Sequence, residues 1–269
     1  MRRSAFALLL LLSLPALALI TLPLVGLCSC MRIGSLGACV CCREASSALT
    51  LSLITSGIAA AVITLIGTPF AYWLAYCDFR GKKVVETLVD LPIVLPPAVA
   101  GVALLFTLGA RGLLGQYLAV AHIRLPFTTA AVVLAQMFVA GPFYFRQARI
   151  GFQGVPQPLL LASRTLGASA FRAFRQVILP LASPALIAGL IMAWARAVGE
   201  FGATLVFAGS LQGVTRTMPL AIYNSMDADP THATAVVLSV ALVTICFLVI
   251  IITRAVLTRA AGLQETSRA

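Results

Sequence analysis

Residues 161–210 read LASRTLGASAFRAFRQVILPLASPALIAGLIMAWARAVGEFGATLVFAGS. The opening third carries Arg164, Arg172 and Arg175, is broken once at Gly167, and passes through Leu179-Pro180 straight into an apolar run. An arginine-bearing polar segment joined to a stretch long enough to cross a bilayer marks the point where a chain leaves water for lipid. The polar part reads as a cytoplasmic loop shaped to be gripped by another protein.

The rest of the chain agrees. Hydrophobic residues make up 61% and charged residues 10%, and the mean hydropathy is +1.03. Soluble domains carry about 25% charge. With so few charges the chain cannot cover a surface in water, so the expected fold is an all-α polytopic membrane protein. Its 269 residues leave room for about six spans of ~20–25 residues plus loops. The apolar runs cover Ser4–Leu27, Leu49–Tyr76, Leu88–Leu108, Pro126–Phe145, Leu181–Ala208 and Thr234–Leu257. With the N-terminus inside, thirteen Lys and Arg fall in inside segments and five (Arg32, Arg43, Arg111, Arg124, Arg216) in outside ones. That bias orients the chain, and six spans return the C-terminus to the inside. The net charge of +11 therefore reads as membrane orientation and contact with lipid, not as nucleic-acid binding. Arg2 and Arg3 precede the first run as in a signal peptide. The run exceeds the usual ~7–15 apolar residues and no small-residue cleavage site follows, so it is expected to stay as a span.

No internal repeat or low-complexity tract divides the chain, and residues 1–269 read as one domain with a loop at about 150–180. Residues 88–101, LVDLPIVLPPAVAG, place Pro92, Pro96 and Pro97 at the start of the third run. Each proline removes a donor and clashes one turn back, so an undisturbed helix is excluded. Either a loop enters the span there or the helix is kinked beside a pathway. In the loop, Pro156 and Pro158 suit a helix start. Leu159, Leu160, Ala162 and Leu166 then give one apolar face, and Gly167 can take the left-handed conformation that ends a helix. Phe171, Phe174, Val177 and Ile178 give a second face at three- and four-residue spacing. Two short helices joined at a glycine form a knob. The physical alternative is an interfacial helix lying on the headgroups.

The spacing of this loop resembles that of ABC importer permeases, whose pattern is E-A-A, three residues, glycine, nine residues, I-x-L-P. Ala162 and Ser163 match the alanines, Gly167 the glycine, and Val177 to Pro180 the close. The glutamate is absent, with Leu160 and Leu161 in its place. The resemblance implies a loop that docks an ATPase through Ala162, Ser163, Gly167, Phe171, Phe174, Leu179 and Pro180. The GEFGAT at 199–204 and the LPIVLPP at 91–97 resemble the molybdate, tungstate and sulfate branch. Thr215, Arg216, Thr217 and Pro219 resemble the TRT-x-P segment of molybdate permeases.

Taking Leu181 as the start of the fifth span, Glu200 lies ~28 Å higher, in the outer half of the bilayer. Arg196 is one turn below it and can pair at i, i+4. The pair either holds the helix as a structural unit or stands at a gate, with Arg196 attracting an oxyanion while Glu200 limits its grip. Gly199 and Gly202 suit a bend or a close helix contact, and Thr204 adds a donor. Thr215, Arg216 and Thr217 are expected to face outside, toward a binding protein.

No G-x-x-x-x-G-K-[ST] occurs, so ATP and magnesium are expected on a partner subunit and no cofactor or metal on this chain. His122 and His232 have no ligand partners at recognisable spacing, and no catalytic set can be assembled. Cys28, Cys30, Cys39, Cys41 and Cys42 crowd the first outside loop. Their spacing is unlike a zinc ribbon, and disulfides or drift explain them better. The resemblance implies a homodimeric, non-enzymatic permease of the prokaryotic cytoplasmic membrane. Its partners would be two ATPase subunits inside and an oxyanion-binding protein outside, and it would move molybdate or tungstate inward by alternating access. The competing readings are a sulfate or thiosulfate permease, and a membrane sensor or scaffold whose cysteine loop binds metal.

Overall fold

The computed structural model describes residues 3–29, 43–228 and 232–266, all helical or irregular. The elements are α1 (Arg3–Ser29), α2 (Arg43–Tyr76), α3 (Lys82–Val94), α4 (Pro97–Leu108), α5 (Gly115–Val120), α6 (Thr129–Gln153), α7 (Gln157–Thr165), α8 (Ala170–Ala173), a π-helical turn (Phe174–Ile178), α9 (Leu179–Val198), α10 (Gly202–Ala208), α11 (Met218–Ala228) and α12 (Ala233–Thr266). Among the described residues five stretches are long and apolar enough to cross a membrane, and α3 with α4 makes a sixth if counted as one broken span. The cysteine-rich stretch, residues 30–42, lies outside the described residues.

The centre of the bundle is α6, flanked by α2 and α9. Small residues let these helices approach. A Cβ on Gly151 would meet the Ala185 Cβ at 2.6 Å, and one on Gly189 would meet the Gln147 Cβ at 3.0 Å. Lipid supplies no hydrophobic drive between spans, so close backbone approach and side-chain hydrogen bonds hold them. The Thr68 and Tyr144 hydroxyls bond at 2.6 Å between α2 and α6. Thr128 caps α6 by accepting from Ala131 N at 3.3 Å, as an N-cap threonine does.

Two expected spans are not continuous. The third breaks at Leu95-Pro96, and α4 leaves α3 at 117°. Pro96 and Pro97 supply no backbone donor there, and Leu95 is extended, as a residue before proline must be. The fifth ends at Val198, with Gly199 as its C-cap, and restarts at Gly202. Gly202 explains the close fit of the two breaks, since a Cβ there would lie 2.9 Å from the Pro97 Cβ. On α4, a Gly101 Cβ would lie 2.8 Å from the Ala203 carbonyl oxygen. Ala100, Ala203 and Phe207 then pack with Ala131, Ala135 and Val139 of α6. The segment after α10 does not stay outside as a loop. It folds back so that Met218 N donates to Ser52 Oγ at 2.7 Å, and α11 packs on α2 and α12.

Candidate functional site

At one end of the bundle, α7 and α8 form the expected knob. Helix α7 ends in a Schellman motif: Gly167 has φ +78°, Gly167 N donates to Arg164 O at 2.9 Å, and Ala168 N donates to Ser163 O at 3.0 Å. Around Gly167 the space is open, so the constraint there is conformational rather than steric. Ser169 caps the next turn by accepting from Arg172 N at 3.3 Å. The outward surface holds Leu159, Leu161, Ala162, Leu166 and Phe171 together with Arg164, Arg172 and Arg175. Leu166 is 87% and Phe171 72% exposed. Ser163 is half-buried, its hydroxyl donating to Leu160 O at 2.8 Å, and Leu160 packs inward against the core.

The second half of the knob runs without a break past Leu179 and Pro180, since Ala170 to Val198 is one helical stretch. The π-helical turn makes this possible: Leu179 N donates to Phe174 O, five residues back. The wider turn accommodates Pro180, whose missing donor would interrupt a regular α-turn. The two phenylalanines separate in consequence. Phe171 points out, whereas Phe174 enters an aromatic cluster with Tyr72 (ring centroids 5.0 Å apart) and Phe152 (6.5 Å). Tyr76, on the same face of α2, donates to Phe152 O at 3.0 Å. The sequence reading missed this cluster. Its one local signal was the i, i+4 spacing of Tyr72 and Tyr76; the pairing with Phe152 is long-range.

At the α9–α10 break, Glu200 is 1% exposed. Its Oε1 accepts from Ala203 N at 2.7 Å, which caps α10. Its Oε2 lies 2.8 Å from Arg196 Nη1, a close ion contact whose N–H is not aimed at the oxygen. Arg196 is 28% exposed at its side chain. Both polar ends of Glu200 are therefore occupied by the protein's own groups, and Gly199 supplies the bend. Thr204 is fully buried, and its hydroxyl has no partner among the described residues.

The outward-facing trio also moves. Thr215 and Thr217 are fully buried, so neither offers an atom to a docking partner in this conformation. Thr215 Oγ1 accepts from Leu211 N at 2.9 Å and closes the turn. Arg216 is half-buried, donating through Nε and Nη2 to the Ser210 hydroxyl and carbonyl, each at 3.3 Å. Nearer the surface, Gln212 donates to Glu44 Oε1 at 2.6 Å. Among the described residues no cluster of three or more His, Cys, Asp or Glu is placed to hold a metal.

Residues 67–262 match the family described as the binding-protein-dependent transport system inner membrane component. The chain belongs to that family. It is thus a transport permease, a multi-pass protein of the inner membrane that is not itself a catalyst. The permease is 42% identical over 190 residues to the protein named probable transport system permease protein NifC of Clostridium pasteurianum, covering 70% of this chain and 66% of that one. It is 40% identical over 241 residues to the molybdenum transport system permease protein ModB of Mycobacterium tuberculosis, covering 88% and 90%. In structure the permease is similar to a chain of a bacterial ABC transporter involved in the import of the acidic polysaccharide alginate. The TM-score is 0.75 at 14% identity, covering 95% of this chain and 96% of that one. At that identity the likeness establishes the type I importer permease fold and nothing finer.

Proposed function

We propose that the permease carries molybdate or tungstate inward by alternating access, as a homodimer driven by two ATPase subunits and fed by an extracytoplasmic oxyanion-binding protein. The observation that carries the reading is the knob. A soluble-side surface bearing Leu166 and Phe171 at 87% and 72% exposure beside three arginines is built for a protein partner. From that surface one helical stretch runs through the core to the break that holds Arg196 and Glu200. ATP and magnesium belong to the partner, and both termini lie on the knob's side of the membrane. The relatives named for molybdenum transport support the substrate.

Gly167→Val tests the docking. A β-branched residue at φ +78° costs about 1–2 kcal/mol and should unseat the knob. ATPase recovered with the permease is expected to fall several-fold; equal recovery and equal substrate-stimulated hydrolysis would refute docking through the knob. The substrate is tested by reconstitution in lipid with the ATPase and binding protein, supplied with molybdate, tungstate or sulfate. Molybdate and tungstate are expected to stimulate hydrolysis. Stimulation by sulfate alone would move the permease to the sulfate branch, and silence with all three in an assembled complex would overturn the oxyanion reading.

A further inference from the structure

Gln136 of α6 is fully buried, and neither its amide nitrogen nor its amide oxygen has a hydrogen-bond partner among the described residues. An unbonded amide in the interior is costly, and native proteins keep few of them. Its position names a partner. Gln136, Ala140, Tyr144, Gln147 and Gly151 recur every three or four residues along one face of α6. Ala185, Gly189, Ala193 and Arg196 do the same on α9, and Glu200 comes next. These faces meet at Gly151 with Ala185 and at Gln147 with Gly189, so the two helices run antiparallel. Eleven residues back from Gln147 is Gln136, and eleven on from Gly189 is Glu200. The register is the same beyond the break. Phe127, just before α6, donates its N–H to Phe207 O at 3.4 Å, and a Cβ on Gly209, just after α10, would lie 3.0 Å from Phe127 Cδ1. Nine residues on from Phe127 and nine back from Gly209 again reach Gln136 and Glu200. Contacts on both sides therefore place the two residues level. Helices packed at about 8–10 Å leave a glutamine amide within reach of the neighbouring element.

In this conformation Glu200 does not need that amide. Its Oε1 accepts from Ala203 N at 2.7 Å, and its Oε2 faces Arg196 Nη1 at 2.8 Å without an aimed N–H. The two tethers belong to different elements. Ala203 is on α10, which packs on α6. Arg196 is in the last turn of α9, and Gly199 lies between them. A change of angle at Gly199 draws the guanidinium away while the carboxylate stays with α10, opposite α6. A buried carboxylate that loses its cation needs another donor, and the Gln136 amide has two N–H groups at that level.

We infer that Gln136 is the second partner of Glu200: the carboxylate exchanges Arg196 for the Gln136 amide when the α9–α10 angle changes, and the exchange frees the guanidinium. Gln136 is thus a positioning residue that acts through Glu200. A guanidinium released from its carboxylate fits two oxygens of a tetrahedral dianion; that use rests on the oxyanion reading above.

The test compares Gln136→Met in two backgrounds. Methionine keeps the length of glutamine and removes its polar atoms. In otherwise wild-type permease the change removes an unbonded amide, and thermal unfolding in detergent is expected at or above the wild-type temperature. In an Arg196→Met background the amide is what holds Oε2, and the same change is expected to lower the unfolding temperature by about 4 °C or more. Lowering in both backgrounds, as for a merely structural glutamine, or no lowering in the second, would overturn the inference. Transport is read separately, in vesicles with the ATPase and binding protein. Gln136→Met alone is expected to cut molybdate uptake about ten-fold, the worth of one hydrogen bond to a charged group. Uptake within two-fold of wild type would overturn the inference even if Arg196→Met did not fold. A wild-type complex that carries no oxyanion would instead overturn the oxyanion reading; the two-background comparison needs no solute and would still decide the exchange.

Discussion

Glu200→Gln is expected to destabilise the permease by about 3 kcal/mol and to abolish most transport, and Arg196→Gln added to it to restore part of both. Removing one partner of a buried pair strands the other, at a cost of about 3–5 kcal/mol when burial is complete. Arg196 retains 28% side-chain exposure, which places the effect at the low end. Glutamine keeps an oxygen that can accept from Ala203 N, so this substitution isolates the charge from the cap. Glu200→Ala removes both and is expected to cost about 1 kcal/mol more, the usual worth of an N-cap. Thermal unfolding in detergent reads the stability and uptake reads the function. A coupling energy of about 1–3 kcal/mol in the double-mutant cycle is the expected sign of contact; strict additivity would show that the pair does not act as a unit.

Phe171→Ala and Phe174→Ala are expected to fail in different ways. Phe171 is outward, and its truncation should lower recovery of the ATPase. Phe174 lies between Tyr72 and Phe152, and its truncation should leave recovery intact while uptake per ATP collapses. Opening that cluster costs about 3 kcal/mol, the lower bound for a phenylalanine truncated to alanine, because Phe174 is only partly buried. The knob would then move without moving the bundle. If both variants lose the ATPase equally, the cluster is part of the docking surface and not of the transmission.

The parts of this design that depend on local chemistry could be read from the chain. Gly167 between two apolar faces announced the knob, the prolines at 92, 96 and 97 announced the broken span, and the i, i+4 spacing of Arg196 and Glu200 announced their contact. What could not be read depends on partners distant in sequence. Nothing local names Pro97 as the neighbour of Gly202, so Gly199 and Gly202 suggested a bend or a close contact without deciding between them, and the structure shows both. Nothing local says that Met218 N will find Ser52, so a polar segment carrying Thr215 and Thr217 looked exposed when it is buried. The π-helical turn was hidden for another reason: nothing in the residues Phe174 to Ile178 distinguishes a widened turn from a regular one, so the sequence shows only that the chain passes through Pro180 into the apolar run.

That turn has a consequence for how the chain tolerates change. A π-helical turn holds one more residue than the α-turn it replaces, so deleting a single residue between Phe174 and Ile178 would convert it to regular helix. The widened turn and the regular turn each make about one revolution, so that deletion would leave everything beyond it, as far as Arg196, on the faces it now presents. A deletion in the regular helix further on would instead rotate the far end by the ~100° that each α-helical residue contributes. The surplus residue is thus slack in the rod: loss of one residue between Phe174 and Ile178 should leave more transport than loss of one between Ala185 and Leu190.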